Sequence, residues 1–500
     1  MKWYRSYFYL FLVIWSVSRI SLSAEQERLS PPRRNTGTLE NRIPVNSLNQ
    51  PHQSPFTLAD AVQQAMELNL TIQAAKYERE AAKSAKWEAL SSYLPQLSWQ
   101  SSASKLESDR FGSSLREAGF AGDTYINQFR LSQLIFSPET LGNIQLAELR
   151  REASEWQLVG QKQDVANQVI IAFLEVLRAR DLLEVQRQRL ELAEKQLQTT
   201  RANFEVGYRI STDVSRAVLA RTAAIRDINQ VETSVERAQV ALNRALGFPV
   251  HYRHQIDGRY LSVFTPVDHL PWYDSTELLF RLSEKHNPAL RVAQLLVEQF
   301  EQSLRMAQGE FLPSLSAGGN WGYYDRGGLD LQDEEWSVQV QMSVPLFEGG
   351  RRLAMINRTR NQLQAERMRF EEAVQSVHGL IEDSVLLLRE EIENYAAASA
   401  AEDVARQHYQ DVFNFYEEGL SQSLDLTQAL TDLVAARTDV IFARYNYLRV
   451  FVQLHAALGT LPTHRNGYVT SSWISIPLEG SMTRISTGKS PETVIPPDQD

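Results

Sequence analysis

Apolar residues recur at every seventh position through the stretch 138–205. The members of this series are Val169, Val176, Leu183, Leu190, Leu197 and Phe204, and alanines stand three residues after members at Ala172, Ala179 and Ala193. A strict seven-residue repeat, which is 3.5 residues per helical turn, is typical of helices that coil around a partner. An ordinary amphipathic helix repeats every 3.6 residues instead. The pattern therefore predicts one helix of about 100 Å with a partner helix close against it.

Capping signals define this long helix and two shorter ones. Ser137 and Pro138 are suited to open the long helix, and Gly207 is suited to close it. The shorter helices are predicted over 57–93 and 211–246. Their end signals are Thr57 as a cap and Pro95 as a stop for the first, and Ser211 or Asp213 as a cap for the second. Laid end to end, the two short helices match the long one, so they can pair with it as a stack.

Alternating apolar and polar residues predict two β-hairpins, over 96–136 and 313–347. In the second hairpin, the stretch 336–347 (WSVQVQMSVPLF) alternates apolar residues with uncharged polar ones. Strands of about ten residues with this patterning are typical of outer-membrane barrels that have a polar lumen. The residues predicted to face the lumen include Gln128, Arg130, Gln339 and Gln341. The alternative is a sheet of a soluble protein with one face in water.

The chain contains an internal duplication, because blocks of the first half recur in the same order in the second half. The matching positions include Asn69 and Asn287, Leu94-Pro95 and Leu312-Pro313, Phe136 and Phe347, Gly207 and Gly419, Asp213 and Asp425, and Gly247 and Gly459. The two copies cover 56–249 and 275–462, and 250–274 connects them. Each copy is predicted to contain a helix, a β-hairpin, a long helix and a further helix. A unit of this length is far too long for a solenoid repeat.

The first 24 residues have the pattern of a secretory signal peptide. Two basic residues precede a short apolar core over 7–17, and small residues follow at Ser21, Ser23 and Ala24. A membrane anchor is the alternative, although the core is short for a bilayer span. The segments 25–55 and 463–500 are polar, with Pro, Ser and Asn, so both are predicted to be loose extensions.

Composition narrows the class of protein. The chain has 500 residues and no cysteine, so an exported form has neither disulfides nor a lipidated N-terminal cysteine. Its net charge of −10 argues against a nucleic-acid partner, which requires a basic face. After residue 24 there is no apolar run of about 18 residues, so the mature chain is expected to be soluble or to cross a membrane as a barrel. Four strands are too few to close a barrel, so two, three or four chains would have to contribute.

No constellation of catalytic or metal-binding residues is present in the sequence. His251, His254 and His269 lie in or near the connecting segment, but no carboxylates complete a ligand set around them. A phosphate-binding loop and a GxSxG motif are also missing. The sequence therefore predicts a protein that is not an enzyme and that needs no cofactor or metal.

Several motifs resemble one family of bacterial proteins. They are VPLFEGGRR at 344–352, the paired LPxL blocks, the FEVG and YEEG segments at the ends of the long helices, and ARYNYLRVFVQLHAALGTL at 443–461. Together with the duplicated order of elements, they resemble the outer membrane efflux protein family typified by TolC. The resemblance covers about residues 56–462.

The resemblance implies a mainly α fold with a transmembrane β-barrel portion. In such a homotrimer four strands from each chain enter one barrel, and a coiled-coil helical tunnel extends through the periplasm. It implies a passive outer-membrane duct, surrounded by outer-membrane lipid, in a tripartite efflux or type I secretion system. The implied partners are a periplasmic adaptor and an inner-membrane pump. The competing interpretation is a periplasmic coiled-coil adaptor or scaffold without a channel, which would not need two matched hairpins.

The resemblance also implies a gate at the periplasmic mouth. Asp425 matches the first position of a ring of aspartates, and Gln428 stands at the second position. Tyr416 matches a gate-closing tyrosine, and Thr212 and Asp213 match its partners. The alternative role of Asp425 is that of a helix-capping carboxylate.

Two further features of the gate follow from the resemblance. Ser421 stands where the family has a gate-closing arginine, and Arg209 in the first tip is a candidate substitute. Gly207 and Gly419 match the helical tips that meet the adaptor. A glycine that ends a helix is also what ordinary capping requires, so the two roles are compatible.

Overall fold

The computed structural model describes residues 56–105, 123–257, 276–326 and 333–461. The predicted signal peptide, the polar extension 25–55, most of the connection 250–274 and the tail 463–500 lie outside the described residues. The elements, in chain order, are α1 (Leu58–Leu68), α2 (Leu70–Ser91), β1 (Gln96–Lys105), β2 (Asp123–Phe136), α3 (Pro138–Glu205), α4 (Ser211–Leu246), α5 (Thr276–His286), α6 (Pro288–Gly309), β3 (Ser314–Arg326), β4 (Asp333–Ser343), α7 (Arg351–Glu417) and α8 (Ser423–Leu458).

The duplication is visible in the structure. We call α1–α4 with β1–β2 the first module, and α5–α8 with β3–β4 the second module. The long helices α3 and α7 have 68 and 67 residues, so each extends about 100 Å, as predicted. The predicted start of α3 is confirmed, because the Ser137 hydroxyl accepts a hydrogen bond from the Thr140 N–H and Pro138 occupies the first turn.

The prediction of one continuous helix over 57–93 is wrong. Thr57 caps the start as expected, but the helix breaks at Asn69, whose backbone is extended (φ −64°, ψ 126°). The Asn69 side chain accepts from the Thr71 N–H at 2.8 Å and donates to the Ala245 carbonyl at 2.8 Å. This amide therefore caps a new helix and ties it to the end of α4, which is a tertiary contact that no local pattern reveals.

The same break recurs in the second module. Asn287 accepts from the Ala289 N–H at 2.8 Å and donates to the Ala457 carbonyl at 2.8 Å. Pro288 follows it, and a residue before proline avoids the helical region. Each module thus contains one asparagine that joins the start of a helix to the end of another.

The predicted cap of α4 is also wrong. Ile210 is the N-cap residue, and no side chain makes a capping hydrogen bond there. Ser211 is the first helical residue, and Asp213 lies in the first turn, where its carboxylate favours the helix dipole. The N-cap therefore lies one residue before the earlier of the two expected caps.

Left-handed glycines end α4 and α8 against these asparagine breaks. Gly247 has φ +82° and Gly459 has φ +73°. A β-carbon at Gly459 would lie 2.4 Å from the His286 carbonyl oxygen and 2.7 Å from the Asn287 Cα. Gln163 on α3 donates to the Gly459 carbonyl at 2.7 Å, which joins the two modules at this level. Glycine is therefore required here for both its conformation and its size.

The four strands form one antiparallel sheet in the order β1-β2-β3-β4, so β2 of the first module pairs with β3 of the second. One row of directly paired residues across the sheet is aromatic: Trp99, Phe129, Trp321 and Trp336. The rings of Phe129 and Trp321 stack with their centroids 5.9 Å apart. Beside this row lies an aliphatic row on the same face, which contains Leu97, Leu131 and Val338.

The opposite face of the sheet is mainly polar, although Ile126 and Leu134 of β2 also lie on it. The register places Gln128, Arg130, Gln339 and Gln341 on this face. Arg130 donates to the Asn320 side-chain oxygen at 3.1 Å, and Gln128 donates to the Gln100 side-chain oxygen at 3.2 Å. The alternation expected from the sequence thus separates an apolar face from a hydrogen-bonded polar face.

The main hydrophobic core lies where the middle of α3 packs against α8 and the α1–α2 pair. Its fully buried side chains include Ile72, Ile170, Phe173, Leu246 and Leu454. His455 borders this core, and burial lowers the pKa of its imidazole to about 4, so the ring is neutral at pH 7. A smaller cluster surrounds Tyr416 near the end of α7. None of the described helices combines the length and the apolar composition that a bilayer-spanning helix needs.

Candidate functional site

The two tips, residues 206–210 and 418–422, reverse the chain with the same geometry. Gly207 and Gly419 are left-handed, with φ of +83° and +78°. In each tip the residue after the glycine donates its N–H to a carbonyl five residues earlier, from Tyr208 to Asn203 and from Leu420 to Phe415, at 2.8 Å. No atom lies within 4 Å of the position that a β-carbon would take on either glycine. The glycines therefore serve the turn, and the space beside them is open.

Tyr416 is buried beneath the tips, but its hydroxyl has a different partner from the one expected. The hydroxyl lies 2.7 Å from the Thr200 hydroxyl on α3. Because Thr200 donates its own proton to the Gln196 carbonyl, Tyr416 is the donor in this contact. The expected partners do not meet Tyr416 in the chain: Thr212 is exposed, and the Asp213 carboxylate lies 3.9 Å from Arg216.

Thr200 is a site residue that sequence reasoning missed, although a signal was present. It stands three residues after Leu197, at the position of the seven-residue pattern that Ala172, Ala179 and Ala193 occupy elsewhere. A hydroxyl group in a seam of small apolar residues indicates a polar partner across the seam. One turn earlier, Gln196 donates to the Thr427 hydroxyl on α8 at 3.1 Å, which adds a second polar link between the modules.

Arg209 joins the first tip to the second. Its guanidinium lies over the Tyr416 ring, 4.2 Å from the centroid. The same group donates to the Tyr416 carbonyl at 3.2 Å and to the Ser421 carbonyl at 2.9 Å. A planar guanidinium suits this combination of ring stacking and divergent donation. Arg209 therefore contacts the segment around Ser421 through backbone carbonyls, without an ion pair.

Asp425 caps the start of α8. Its carboxylate accepts from the Gln422 N–H at 3.1 Å and from the Ser421 hydroxyl at 3.3 Å. The side chain is nonetheless exposed, so the capping role leaves one side of the carboxylate open to solvent. The capping interpretation and a role at an exposed surface are both compatible with this geometry.

The exposed face of α8 continues beyond Asp425. Gln428 is exposed and donates to the Asp432 carboxylate at 2.8 Å. One face of α8 carries three polar residues, since Gln428 lies three residues after Asp425 and Asp432 lies four residues after Gln428. Sequence reasoning missed Asp432, whose signal was its distance of seven residues from Asp425. This face of the first turns of α8 thus carries two exposed carboxylates with a glutamine between them.

Comparison with known proteins agrees with this architecture. The model of the family described as outer membrane efflux protein matches residues 61–248 and 279–460, one match in each module. TolC of Vibrio cholerae serotype O1 is 24% identical over 417 residues, which cover 81% of this chain and 91% of that protein. The alkaline protease secretion protein AprF of Pseudomonas aeruginosa is 22% identical over 435 residues, which cover 84% of this chain and 87% of that protein.

A solved structure shows the same fold. The crystal structure of the CmeC outer membrane channel of Campylobacter jejuni matches with a TM-score of 0.69 at 16% identity. The match covers 83% of this chain and 88% of that chain. Since the family matches both modules and together these matches span most of the 500 residues, the chain belongs to the outer membrane efflux protein family.

Proposed function

We propose that this chain is one protomer of a homotrimeric duct, which crosses the outer membrane, extends into the periplasm and conducts its cargo passively. The duct serves a tripartite efflux or type I secretion system, in which an inner-membrane pump delivers cargo through a periplasmic adaptor. The observation that carries the proposal is the four-stranded sheet with one apolar face, joined directly to helices of about 100 Å.

The sheet has two open edges. Within the described residues β1 pairs only with β2, and β4 pairs only with β3. In lipid, unpaired backbone groups along such edges are too costly to persist. Pairing β1 of one copy with β4 of the next removes every edge, so the sheet supports a barrel that several copies share. Three copies supply strands within the usual range for outer-membrane barrels.

The two faces of the sheet suit lipid and water respectively. Trp336, Val338 and Val340 are largely exposed in the single chain, which is the arrangement expected for a face that contacts lipid. Gln128, Arg130, Gln339 and Gln341 would then line the lumen. In a trimer, the amides and three copies of the Arg130 guanidinium would make this passage hydrated.

The periplasmic mouth is proposed to lie at the second tip, where α8 begins. Around a three-fold axis, Asp425 would form a ring of carboxylates, with Gln428 and Asp432 as the next polar positions. Like charges on an axis attract cations and repel anions, so the mouth would favour cations. Arg209, Tyr416 and Thr200 hold the two tips of one chain together and would keep this mouth narrow.

The tips themselves are proposed to meet the adaptor. Tyr208 and Leu420, which follow the two tip glycines, are both highly exposed, as are Val206 and Ile210. Apolar side chains at a turn that nothing covers suit docking against the tip of another helical hairpin. Gly207 and Gly419 would allow close approach of that partner, because the space beside them is open.

The duct is proposed to do no chemistry. Among the residues that the structure describes, no group of three or more His, Cys, Asp or Glu residues could hold a metal ion. Cargo movement is then driven by the pump. AprF is named for the secretion of an alkaline protease, so a protein is one candidate cargo.

Membrane fractionation of cells that express the full chain tests the duct against the scaffold. A duct is recovered with the outer membrane after a high-salt wash and is released only by detergent, whereas a scaffold appears in the soluble periplasmic fraction. Val340→Arg on the apolar face should weaken insertion by about 2 kcal/mol, a shift of about 30-fold. The matched control is Gln339→Arg on the polar face, which should leave insertion unchanged. Equal effects of the two variants would contradict the assignment of the faces.

A further inference from the structure

The polar face of the sheet carries a row of hydrogen-bonding side chains that runs across all four strands. The register aligns one residue from each strand in this row, in the order Ser98, Arg130, Asn320 and Ser337. Two of these side chains are hydroxyls, one is an amide and one is a guanidinium, so every member can donate a hydrogen bond. The row is therefore a strip of donors that crosses the sheet.

Arg130 is held in this row by its neighbour on β3. Its Nε donates to the Asn320 side-chain oxygen at 3.1 Å, and the Asn320 amide nitrogen donates in turn to the Ser337 hydroxyl at 3.4 Å. The amide thus uses its oxygen towards β2 and its nitrogen towards β4, which fixes its orientation. Because the bond is made through Nε, it also orients the plane of the guanidinium.

The outer edge of this guanidinium is free. No hydrogen bond or ion pair within the described part of the chain engages the two terminal nitrogens of Arg130. Arginines of the helices differ, since Arg151, Arg291 and Arg351 each pair with a glutamate at 2.9 Å or less. A free and oriented guanidinium edge is the arrangement that binds two oxygens of a carboxylate or phosphate group at once.

The strand beside Arg130 leaves room in front of this edge. Gly318 and Gly322 lie two residues before and after Asn320, so all three share one face of β3. The strands approach closely at these glycines, because a β-carbon on Gly322 would clash with the Asn127 carbonyl oxygen. The surface on both sides of Asn320 is therefore bare backbone, and a ligand can approach the guanidinium without displacing a side chain of β3.

A carboxylate lies on the same face, but at a distance. Glu335 stands on β4 opposite Gly322, which places it two strands across from Arg130 and two residues further along. The spacings of a sheet separate these two positions by about 12 Å. This exceeds the Debye length of about 8 Å at physiological ionic strength, so Glu335 leaves most of the positive potential around Arg130 intact.

We propose that Arg130, positioned by Asn320, is an oxyanion-binding site in the lumen of the barrel, for phosphate, sulfate or carboxylate groups of the cargo. The proposal rests on the proposed function, because a barrel shared by three copies brings three such sites around one lumen. Twelve strands enclose a barrel with a radius of about 12 Å, so an arginine side chain reaches about halfway to the axis. A ring of guanidiniums at this depth attracts anions into the passage.

This site is distant from the mouth, where carboxylates favour cations. Asp425 lies beyond the far end of α7, a helix of 67 residues that extends about 100 Å from the sheet. Because this separation is many Debye lengths, the carboxylates at the mouth do not influence Arg130. The two ends of the duct therefore have opposite charge preferences, and the ligand of Arg130 comes from the aqueous lumen, since the polar face points away from lipid.

A single cysteine beside Arg130 measures the local charge, because the chain has no cysteine of its own. Ser132→Cys places the thiol on the same face of β2, about 7 Å from Arg130 along the strand. In outer-membrane vesicles, its rate of reaction with an anionic methanethiosulfonate is compared with its rate with a cationic one. The reporter is measured alone, with Arg130→Gln and with Arg281→Gln, which removes the same charge from an exposed position on α5.

The ratio of the anionic to the cationic rate should fall about tenfold with Arg130→Gln and change by less than about twofold with Arg281→Gln. Inorganic phosphate, added at constant ionic strength, should slow the reaction of the reporter with a neutral maleimide. This protection should disappear with Arg130→Gln. Arg130→Lys retains the charge but lacks the planar edge, so it should retain the rate ratio and lose most of the protection.

Two results would overturn the anion site while the duct stands: equal rate ratios with Arg130→Gln and Arg281→Gln, or phosphate protection that survives Arg130→Gln. Full protection with Arg130→Lys would overturn the role of the planar edge. Val340→Cys on the apolar face detects failure of the duct itself. If Val340→Cys reacts with the charged reagents and Ser132→Cys does not, the polar face is not the lumen, and both proposals are overturned. Circular dichroism shows whether each variant has folded.

Discussion

Replacing Arg209 by alanine should raise the ratio of open to closed duct by about 30-fold, which corresponds to about 2 kcal/mol. In the structure the Arg209 guanidinium covers the Tyr416 ring and donates to two carbonyls of the second tip. Opening the mouth by moving the second tip away from the first would break these contacts together. The substitution removes them from the closed state only, so the balance moves towards the open state.

Single-channel recording in a planar bilayer measures this ratio directly. The matched control is Arg216→Ala, which removes the same charge near the first tip. The Arg216 guanidinium pairs with Asp213 of its own helix, at 3.9 Å. Tyr416→Phe removes the hydrogen bond to Thr200 and keeps the ring under Arg209, so its expected effect is smaller, about fivefold. Equal open fractions for Arg209→Ala and Arg216→Ala would remove Arg209 from the gate.

Replacing Gly459 by alanine should lower the free energy of unfolding by about 3 kcal/mol. The left-handed backbone at this position disfavours any β-carbon, and the added carbon would also meet the His286 carbonyl at 2.4 Å. To relieve this clash, α8 would have to move away from the helix break at Asn287. That movement would also stretch the hydrogen bond from the Asn287 side chain to the Ala457 carbonyl. Thermal unfolding followed by circular dichroism in detergent would measure the loss.

Gly419→Ala separates the two causes of this loss. Gly419 has nearly the same left-handed conformation, but no atom lies within 4 Å of its missing β-carbon. Only the conformational penalty of about 1 kcal/mol should therefore remain. Similar unfolding temperatures for the Gly459 and Gly419 variants would show that close packing at the end of α8 contributes little to stability.

Periodicity predicted the long helices because their packing repeats along the whole element. The seven-residue series from Val169 to Phe204 requires one continuous helix with a partner, and the structure contains that helix from Pro138 to Glu205. The strands could be predicted equally well from the alternation of apolar and polar residues, because successive side chains of a strand point to opposite faces of the sheet. The helix breaks at Asn69 and Asn287 could not be predicted from the sequence. At each break the asparagine side chain donates to a backbone carbonyl more than 160 residues away in sequence.

The positions of the candidate site residues could be predicted from the sequence, but their contacts could not. The resemblance located Tyr416, Arg209 and Asp425 at or beside the tips, and the structure places Arg209 in the first tip, Tyr416 at the end of α7 and Asp425 in the first turn of α8. The partner of Tyr416 depends on the rotation of α7 relative to α3, which brings the ring against Thr200 instead of the first turn of α4. That rotation is set by packing along the whole length of both helices and cannot be deduced from the residues of the tips alone.

The most direct test of the duct is single-channel recording on detergent-extracted protein in a planar bilayer, with Asp425→Asn as the comparison. The asparagine retains an oxygen that can accept from the Gln422 N–H, so the cap of α8 is preserved while the charge is removed. The account predicts a small, mostly closed conductance that prefers cations, and a weaker preference in the variant. A folded, oligomeric protein that shows no conductance would contradict the account.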